Sequence, residues 1–300
     1  LNIMIYSYNC KIFIVNVNDV APTFISNSTF TANENQTSIG NISATDAEGD
    51  TVTYSISGTD ATSLSINSLT GVLSFVSAPD YETKQNYAAI VAASDGVNST
   101  TQSLSITIND INEAPSIVLA SLSVNENSTS IGSISASDPE GDSITYSISG
   151  TDASNISVNS STGALTFNSA PDYETKTSYS ITATASDGTN STNQAISISI
   201  NDLNDNSPTF TSSDSLTVEE NTRNVGTIEA TDDDGDSISF SISGTDANEF
   251  SLVSNTGVLT LIGLADYESK NSYSIVITAS DGVNSTCLLY TSPSPRDSSP

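Results

Sequence analysis

Four short strings recur three times along this 300-residue chain at a fixed step. D-A-E-G-D, D-P-E-G-D and D-D-D-G-D begin at Asp46, Asp138 and Asp232, and P-D-Y-E, P-D-Y-E and A-D-Y-E begin at Pro79, Pro171 and Ala265. Both sets advance by 92 and then 94 residues, as do S-I-S-G-T-D-A from Ser55, Ser147 and Ser241 and A-S-D-G from Ala93, Ala185 and Ala279. Length alone suggests about two domains; the step sharpens this to serial copies of one unit of about 90 residues, an ordinary domain size. Structural repeats usually recur through apolar core positions. Here the recurring positions are mostly carboxylates, which points to a ligand, and the obvious one is a hard cation.

Charge narrows the function classes. With 35 acidic against 6 basic residues the net charge is −29, so the chain cannot hold nucleic acid phosphates or anionic lipid by charge. It needs counter-ions instead. Acidic chains are often disordered, but 36% of this one is hydrophobic and much of that alternates strictly. Histidine and tryptophan are absent, which removes the commonest general base and the commonest transition-metal ligand together. Cys10 and Cys287 lie near opposite ends and imply no disulfide framework. The apolar start, Leu1 to Val15, is broken by Asn2, Ser7, Asn9 and Lys11, short of the roughly 18–20 clean residues of a span. No basic head precedes it, as a signal peptide requires. The sequence begins in mid-repeat and reads as a fragment.

Period-two alternation dominates. T-V-T-Y-S-I-S places Val52, Tyr54 and Ile56 on one face, S-L-S-I-T-I-N does so with Leu104, Ile106 and Ile108, and S-I-S-I-S-I-N repeats it with Ile198 and Ile200 after Ile196. Such stretches form strands with one face buried and one wet. Several per 90 residues, separated by Gly, Asp and Asn turns, predict an all-β, immunoglobulin-like Greek-key sandwich of about seven strands in each unit. Boundaries are expected at 22–113, 114–206 and 207–286, with residues 1–21 the last strand and linker of a preceding unit. After A-S-D-G-V-N-S-T the first unit continues T-Q-S-L-S-I-T-I-N, whereas the third continues C-L-L-Y-T-S-P-S-P-R. Residues 287–300 therefore read as a non-native tail of translated adapter sequence, or as a disordered Ser/Pro end, and the third unit is expected to lack its final strand.

Oxygen-only clusters of Asp, Glu and Asn suit Ca²⁺, which takes six to eight oxygens in loose geometry. D-D-D-G-D superficially matches the start of an EF-hand loop, but no glutamate stands at the twelfth loop position. Over residues 22–286 the ordered set E-N, D-x-[DE], D-Y-E, A-S-D-G and D-x-N-D-N-x-P resembles tandem cadherin repeats, most similar to those of bacterial surface proteins. D-L-N-D-N-S-P, Asp202 to Pro208, matches the family linker in full.

The resemblance implies ions between consecutive repeats. At the first junction it assigns Glu34, Asp80, Glu82, Asp110, Asn112, Glu113, Asp138, Glu140 and Asp187 as ligands, with the Asp142 carbonyl. At the second it assigns Glu126, Asp172, Glu174, Asp202, Asn204, Asp205, Asn206, Asp232, Asp234 and Asp281, with the backbone near Asp236. Asn18, Asp19, Asp46, Glu48 and Asp95 form the corresponding set before the first repeat. Repeats one and two carry D-x-E where the family usually has D-x-D, D-I-N-E-A-P is one residue shorter than the family linker, and Asn16 replaces the first linker Asp. The second junction is therefore expected to bind better than the first.

The implied function is a calcium-stiffened rod segment of an extracellular, cell-surface adhesion protein. Its implied partner is another cadherin-like chain or a cell-surface ligand, with membrane attachment only through parts of the protein outside this sequence. Direct homophilic adhesion is the alternative, although the strand-swapping branch of the family anchors through an N-terminal Trp. An enzyme, or repeats appended to a secreted enzyme, is the reading of another class. Asp80 and Glu82 could be imagined as paired glycosidase carboxylates, but they recur in every repeat, as catalytic sets do not, so no catalysis is expected.

Overall fold

The structure, a computed structural model, describes residues 17–118 and 121–291. It divides into two units, residues 1–114 with 138–143 and residues 115–137 with 144–300. The expected strand within residues 1–16 lies outside the described residues.

The first repeat sets the pattern. Its elements are β1 (Thr23–Phe24), β2 (Thr29–Asn33), β3 (Ser38–Asn41), β4 (Ala44–Thr45), β5 (Thr53–Ser57), a 3-10 turn (Ala61–Ser63), β6 (Leu64–Ile66), β7 (Val72–Phe75), β8 (Asn86–Ser94) and β9 (Ser99–Asn109). One sheet has the order β2-β9-β8-β5, the other β3-β7-β6, and β1 pairs with β4. β2 runs parallel to β9, while β8 pairs antiparallel with both β9 and β5. The two sheets account for seven strands, as the alternation predicted, and β1–β4 is an added two-residue pair. Leu104, Ile106 and Ile108 are buried and meet Leu73 and Phe75 of the facing sheet in one core. Their Ser and Thr neighbours face water, so each face goes where its polarity sends it.

The second repeat uses the same plan. Its sheets are Ser121–Asn125, Ser191–Asn201, Ser178–Ser186 and Thr145–Ser149, against Ser130–Ser133, Ala164–Phe167 and Ile156–Val158. In each repeat a tight turn before the strand equivalent to β7 carries a glycine at positive φ: Gly71, Gly163 and Gly257 at +69°, +70° and +70°. Its carbonyl accepts the amide of Ile42, Ile134 or Ile228 at 2.9 Å, which staples the turn to the end of the neighbouring strand, one step past the Asn41–Val72 pair in the first repeat.

The third repeat departs from expectation. Ser285–Thr291 is a strand, paired antiparallel with Ser274–Ser280 in a register that sets Cys287 opposite Thr278 and Tyr290 opposite Ile275. Tyr290 is buried and Leu288 packs on the core. The expectation that the repeat lacks its final strand from residue 287 is therefore corrected. The letters differ from T-Q-S-L-S, but Leu288 and Tyr290 alternate with exposed Cys287 and Leu289, and alternation rather than identity makes the strand. Residues 292–300 of the expected tail lie outside the described residues. Leu216 and Val218, at positions equivalent to β2, line an apolar pocket with Tyr290, Ile275 and Phe250.

Each repeat also spends one of the chain's few lysines on the same contact. Lys84, Lys176 and Lys270 pair with Asp60, Asp152 and Asp246, and each ammonium lies over a tyrosine ring, Tyr87, Tyr179 or Tyr273, at 4.6, 4.5 and 4.8 Å. Lys176, then the Ser180 amide, holds the Asp152 carboxyl below the usual carboxylate range. A carboxyl depressed on folding adds stability that is present above its unfolded value, about 3.9, and is lost as pH falls through the folded one. Melting temperature in calcium-free buffer should therefore fall more shallowly between about pH 4 and 2 in Asp152→Asn than in the unsubstituted chain. Parallel acid limbs would remove this pair from the acid response.

Candidate metal centres

Glycine-centred turns build the sites. In D-x-x-G-D, one oxygen of the leading aspartate shapes the turn: Asp46 Oδ1 accepts the amides of Glu48 and Asp50, Asp138 Oδ1 that of Asp142 at 3.0 Å, and Asp232 Oδ1 that of Asp236. In D-G-x-N, Asp95 Oδ1 accepts from Val97 and Asn98, and Asp281 Oδ1 from Val283 and Asn284. The second oxygen of each, the Oδ2 of Asp46, Asp95, Asp138, Asp232 and Asp281, is buried without a hydrogen-bond partner among the described residues, as are the Oε2 atoms of Glu48 and Glu140. A buried, unsatisfied carboxylate oxygen is costly. Oxygens of this kind, gathered by neutral amides, form a donor set that fits a hard, oxygen-preferring cation such as Ca²⁺.

The second unit holds three of the four carboxylate clusters among the described residues. Glu126 is buried, and its carboxylate accepts the amides of Tyr173 and Leu203, each at 2.8 Å, tying the D-Y-E turn to the linker. Around it, carboxylate oxygens of Glu126, Asp172 and Glu174 lie within 4.8 Å of one another, as do those of Glu174, Asp205 and Asp234, and those of Asp232, Asp234 and Asp236, so that each group could hold a metal ion. Asp234 accepts the amides of Asp205 and Asn206 at 3.0 and 2.9 Å. Asn204 reaches Asp236 at 2.5 Å. The Asn206 side chain, with these amides, holds Asp234 below the carboxylate range. Burial and then the charges of Asp234 and Glu126 push Asp202 up, and burial with Glu126 does the same to Glu174. Carboxyls raised by burial and then by their acidic neighbours mark a volume short of positive charge.

The first unit holds a smaller set. Glu34 repeats the clasp, accepting from Tyr81 and Ile111 at 2.8 Å, and meets Glu82, Asp110 and Glu140 within 4.8 Å. Burial raises Glu82, with Glu34, Asp110 and Glu140 adding to it. Asp80 falls outside the group and is occupied by the Thr83 amide and hydroxyl. Glu113 also falls outside: its side chain accepts from Asn35, while its amide donates to Glu140 at 3.2 Å. Asp142 presents its amide to Asp138. Asp187 belongs to the second unit, and its Oδ1 takes the amides of Thr189 and Asn190. Before the first repeat, Asn18 accepts from Asn98 at 2.9 Å, and Glu48 is raised by burial, then by Asp46 and Asp19. Burial pushes Asp95 up, but hydrogen bonds from Asn98, Val97 and Asn18 outweigh it and hold it low.

Several residues were missed by reading acids alone. Asn35 and Asn127, at positive φ, direct their amides to Glu113 and Asp205. Asn284 grips the linker through Asn204 and the Asn206 carbonyl. Both asparagine sets recur at the 92- and 94-residue steps, which was the available signal.

Comparison with known proteins identifies the family. The cadherin domain family matches residues 28–109, 120–201 and 214–296. Human Protocadherin Fat 4 is 32% identical over 89% of this chain and 6% of its own length, and mouse Protocadherin-15 is 31% identical over 93% of the chain and 16% of its own. The chain thus spans only a small part of these relatives, which are animal protocadherins where the resemblance pointed first to bacterial surface proteins. In fold, mouse Cadherin-23 EC22-24 aligns at a TM-score of 0.58 and 22% identity, covering 92% of this chain and 99% of that one. Three successive domain matches, with the clasping glutamates, the D-x-x-G-D turns and the linker in their expected order, place this chain in the cadherin family.

Proposed function

We propose that this chain is a calcium-binding segment of the extracellular stalk of a cell-surface adhesion protein, and that ions at its acidic clusters restrain the hinges between repeats. The carrying observation is the convergence of Glu174, Asp205 and Asp234, from the second repeat, the linker and the third repeat, within 4.8 Å. All three are acceptors only when ionised. The ion pairs among the described residues engage Asp60, Asp152, Asp246 and Glu249 instead. Each ion draws the two sides of a linker together, so the stalk stiffens where calcium is abundant and loosens where it is not. On this reading the repeats begin at about residues 22, 114 and 207, as the domain matches at 28–109, 120–201 and 214–296 support. The family relationship supports cadherin-like or cell-surface partners and a mechanical rather than a catalytic role.

Calorimetric titration of the chain with calcium tests this, and absence of binding overturns it. The residues also rank. Asp205→Ala removes an oxygen from a ligand group, whereas Glu113→Ala removes a side chain that lies outside one, so the first should weaken binding more. The reverse order would contradict the linker assignment.

A further inference from the structure

We infer that Lys176 is a positioning residue for the metal ligands Asp172 and Glu174, acting through its ion pair with Asp152; this rests on the calcium reading above. The ligand turn is held at one end by the second repeat's E-N pair: Tyr173 donates to Glu126, and the Asn127 amide donates to the Pro171 carbonyl at 2.9 Å. Inside the turn, Asp172 accepts the Thr175 amide and hydroxyl at 3.2 and 2.9 Å, and its carbonyl accepts the Lys176 amide at 2.9 Å.

The other end is fixed by the Lys176 side chain alone of these contacts. Its ammonium pairs with Asp152, whose second oxygen accepts the Ser180 amide at 2.7 Å, and it sits over the Tyr179 ring. Asp152 is only 7% exposed, so the anchor is set in the sandwich while the turn it holds carries the exposed ligands. The lysine lies two residues beyond Glu174, and among the described residues its ion pair is with Asp152 and with no carboxylate of the cluster. Groups that orient metal ligands without touching the metal commonly alter affinity by tenfold or more when removed.

The chain carries its own control. Lys270 makes the same contact with Asp246 and Tyr273, and a second pair with Glu249. The acids of its turn, Asp266 and Glu268, enter no ligand group among the described residues. A merely structural role therefore predicts that the two lysines behave alike, or that Lys270 matters more.

The test follows the amide resonances of Tyr173 and Leu203, both clasped by Glu126, through a calcium titration of the full chain, below the melting temperature of every variant. Lys176→Met should shift the midpoint by on the order of tenfold to higher calcium, while Lys270→Met lowers stability and leaves that midpoint in place. Asp152→Asn, which keeps an acceptor for Ser180, should reproduce the Lys176→Met shift should that variant fold poorly. Normal midpoints in both Lys176→Met and Asp152→Asn, or equal shifts in the Lys270→Met control, overturn the inference. No titration in the unsubstituted chain would instead overturn the calcium reading on which it rests.

Discussion

Chelating calcium should lower the melting temperature of this chain by about 15–30 °C, because about 4 kcal/mol at 4–8 °C per kcal/mol is at stake for a domain of this size. The free energy comes from ligand linkage: with a millimolar-range dissociation constant of ~1 to ~0.1 mM, ~10 mM calcium contributes about 1.4–2.7 kcal/mol per ion, and about two ions supply the total. The unfolded chain scatters Glu126, Asp172, Glu174, Asp205 and Asp234 and has little affinity. In the folded chain these acids crowd together, and each unit-charge pair 4 Å apart costs about 1 kcal/mol even in water. Calcium relieves this at loose geometry. Magnesium demands a tight octahedron and sheds water reluctantly, so at matched ionic strength it should recover little of the loss. Equal recovery by both ions would reduce the effect to charge screening and sink the site assignment.

The second large effect concerns a single hydrogen atom. Gly163→Ala should cost about 3–5 kcal/mol, at the upper end for one substitution and a large part of the 5–15 kcal/mol that usually holds a domain. A Cβ there would stand 2.4 Å from the Ile134 carbonyl oxygen, at a φ of +70°. The two nearest atoms, the Ile134 carbonyl oxygen and carbon, are backbone, so relief means breaking the Ile134-to-Gly163 hydrogen bond. Gly188→Ala is the comparison: its φ is +99° but nothing lies within 4 Å of the added carbon. That substitution should cost only the backbone penalty, about 1–2 kcal/mol. Urea denaturation of the two variants separates the terms, and equal losses would mean that the stapling contact contributes nothing.

Much of this molecule was legible before any coordinates. Strands follow from alternation, because Leu104, Ile106 and Ile108 can share a face only in an extended chain. The repeats follow from the step, and the acidic turns from glycines placed where φ must be positive: Gly49, Gly141 and Gly235 all have it. The linker letters also set the expectation that the second junction binds better than the first. Against this, the third repeat shows how matching letters misleads. C-L-L-Y-T shares almost nothing with T-Q-S-L-S, yet Tyr290 fills the core as Leu104 does in the first repeat.

What only the tertiary structure decided is which oxygens are left over. Asp80 and Asp172 stand in the same string, but among the described residues Asp172 joins a carboxylate cluster that could hold an ion and Asp80 does not. Glu113 and Asp205 occupy the same linker position and both accept from the asparagine after the clasping glutamate, yet only Asp205 reaches a ligand group. The lysine anchor, the isoleucine carbonyl beneath Gly163 and the buried Oδ2 atoms are likewise invisible in the letters. Local geometry and polarity are properties of neighbouring residues, so the sequence alone determined the strands, the turns and the sign of the charge at each site. Coordination depends on atoms brought together from segments as far apart as Glu126 and Leu203, and only chain closure decides which of them meet.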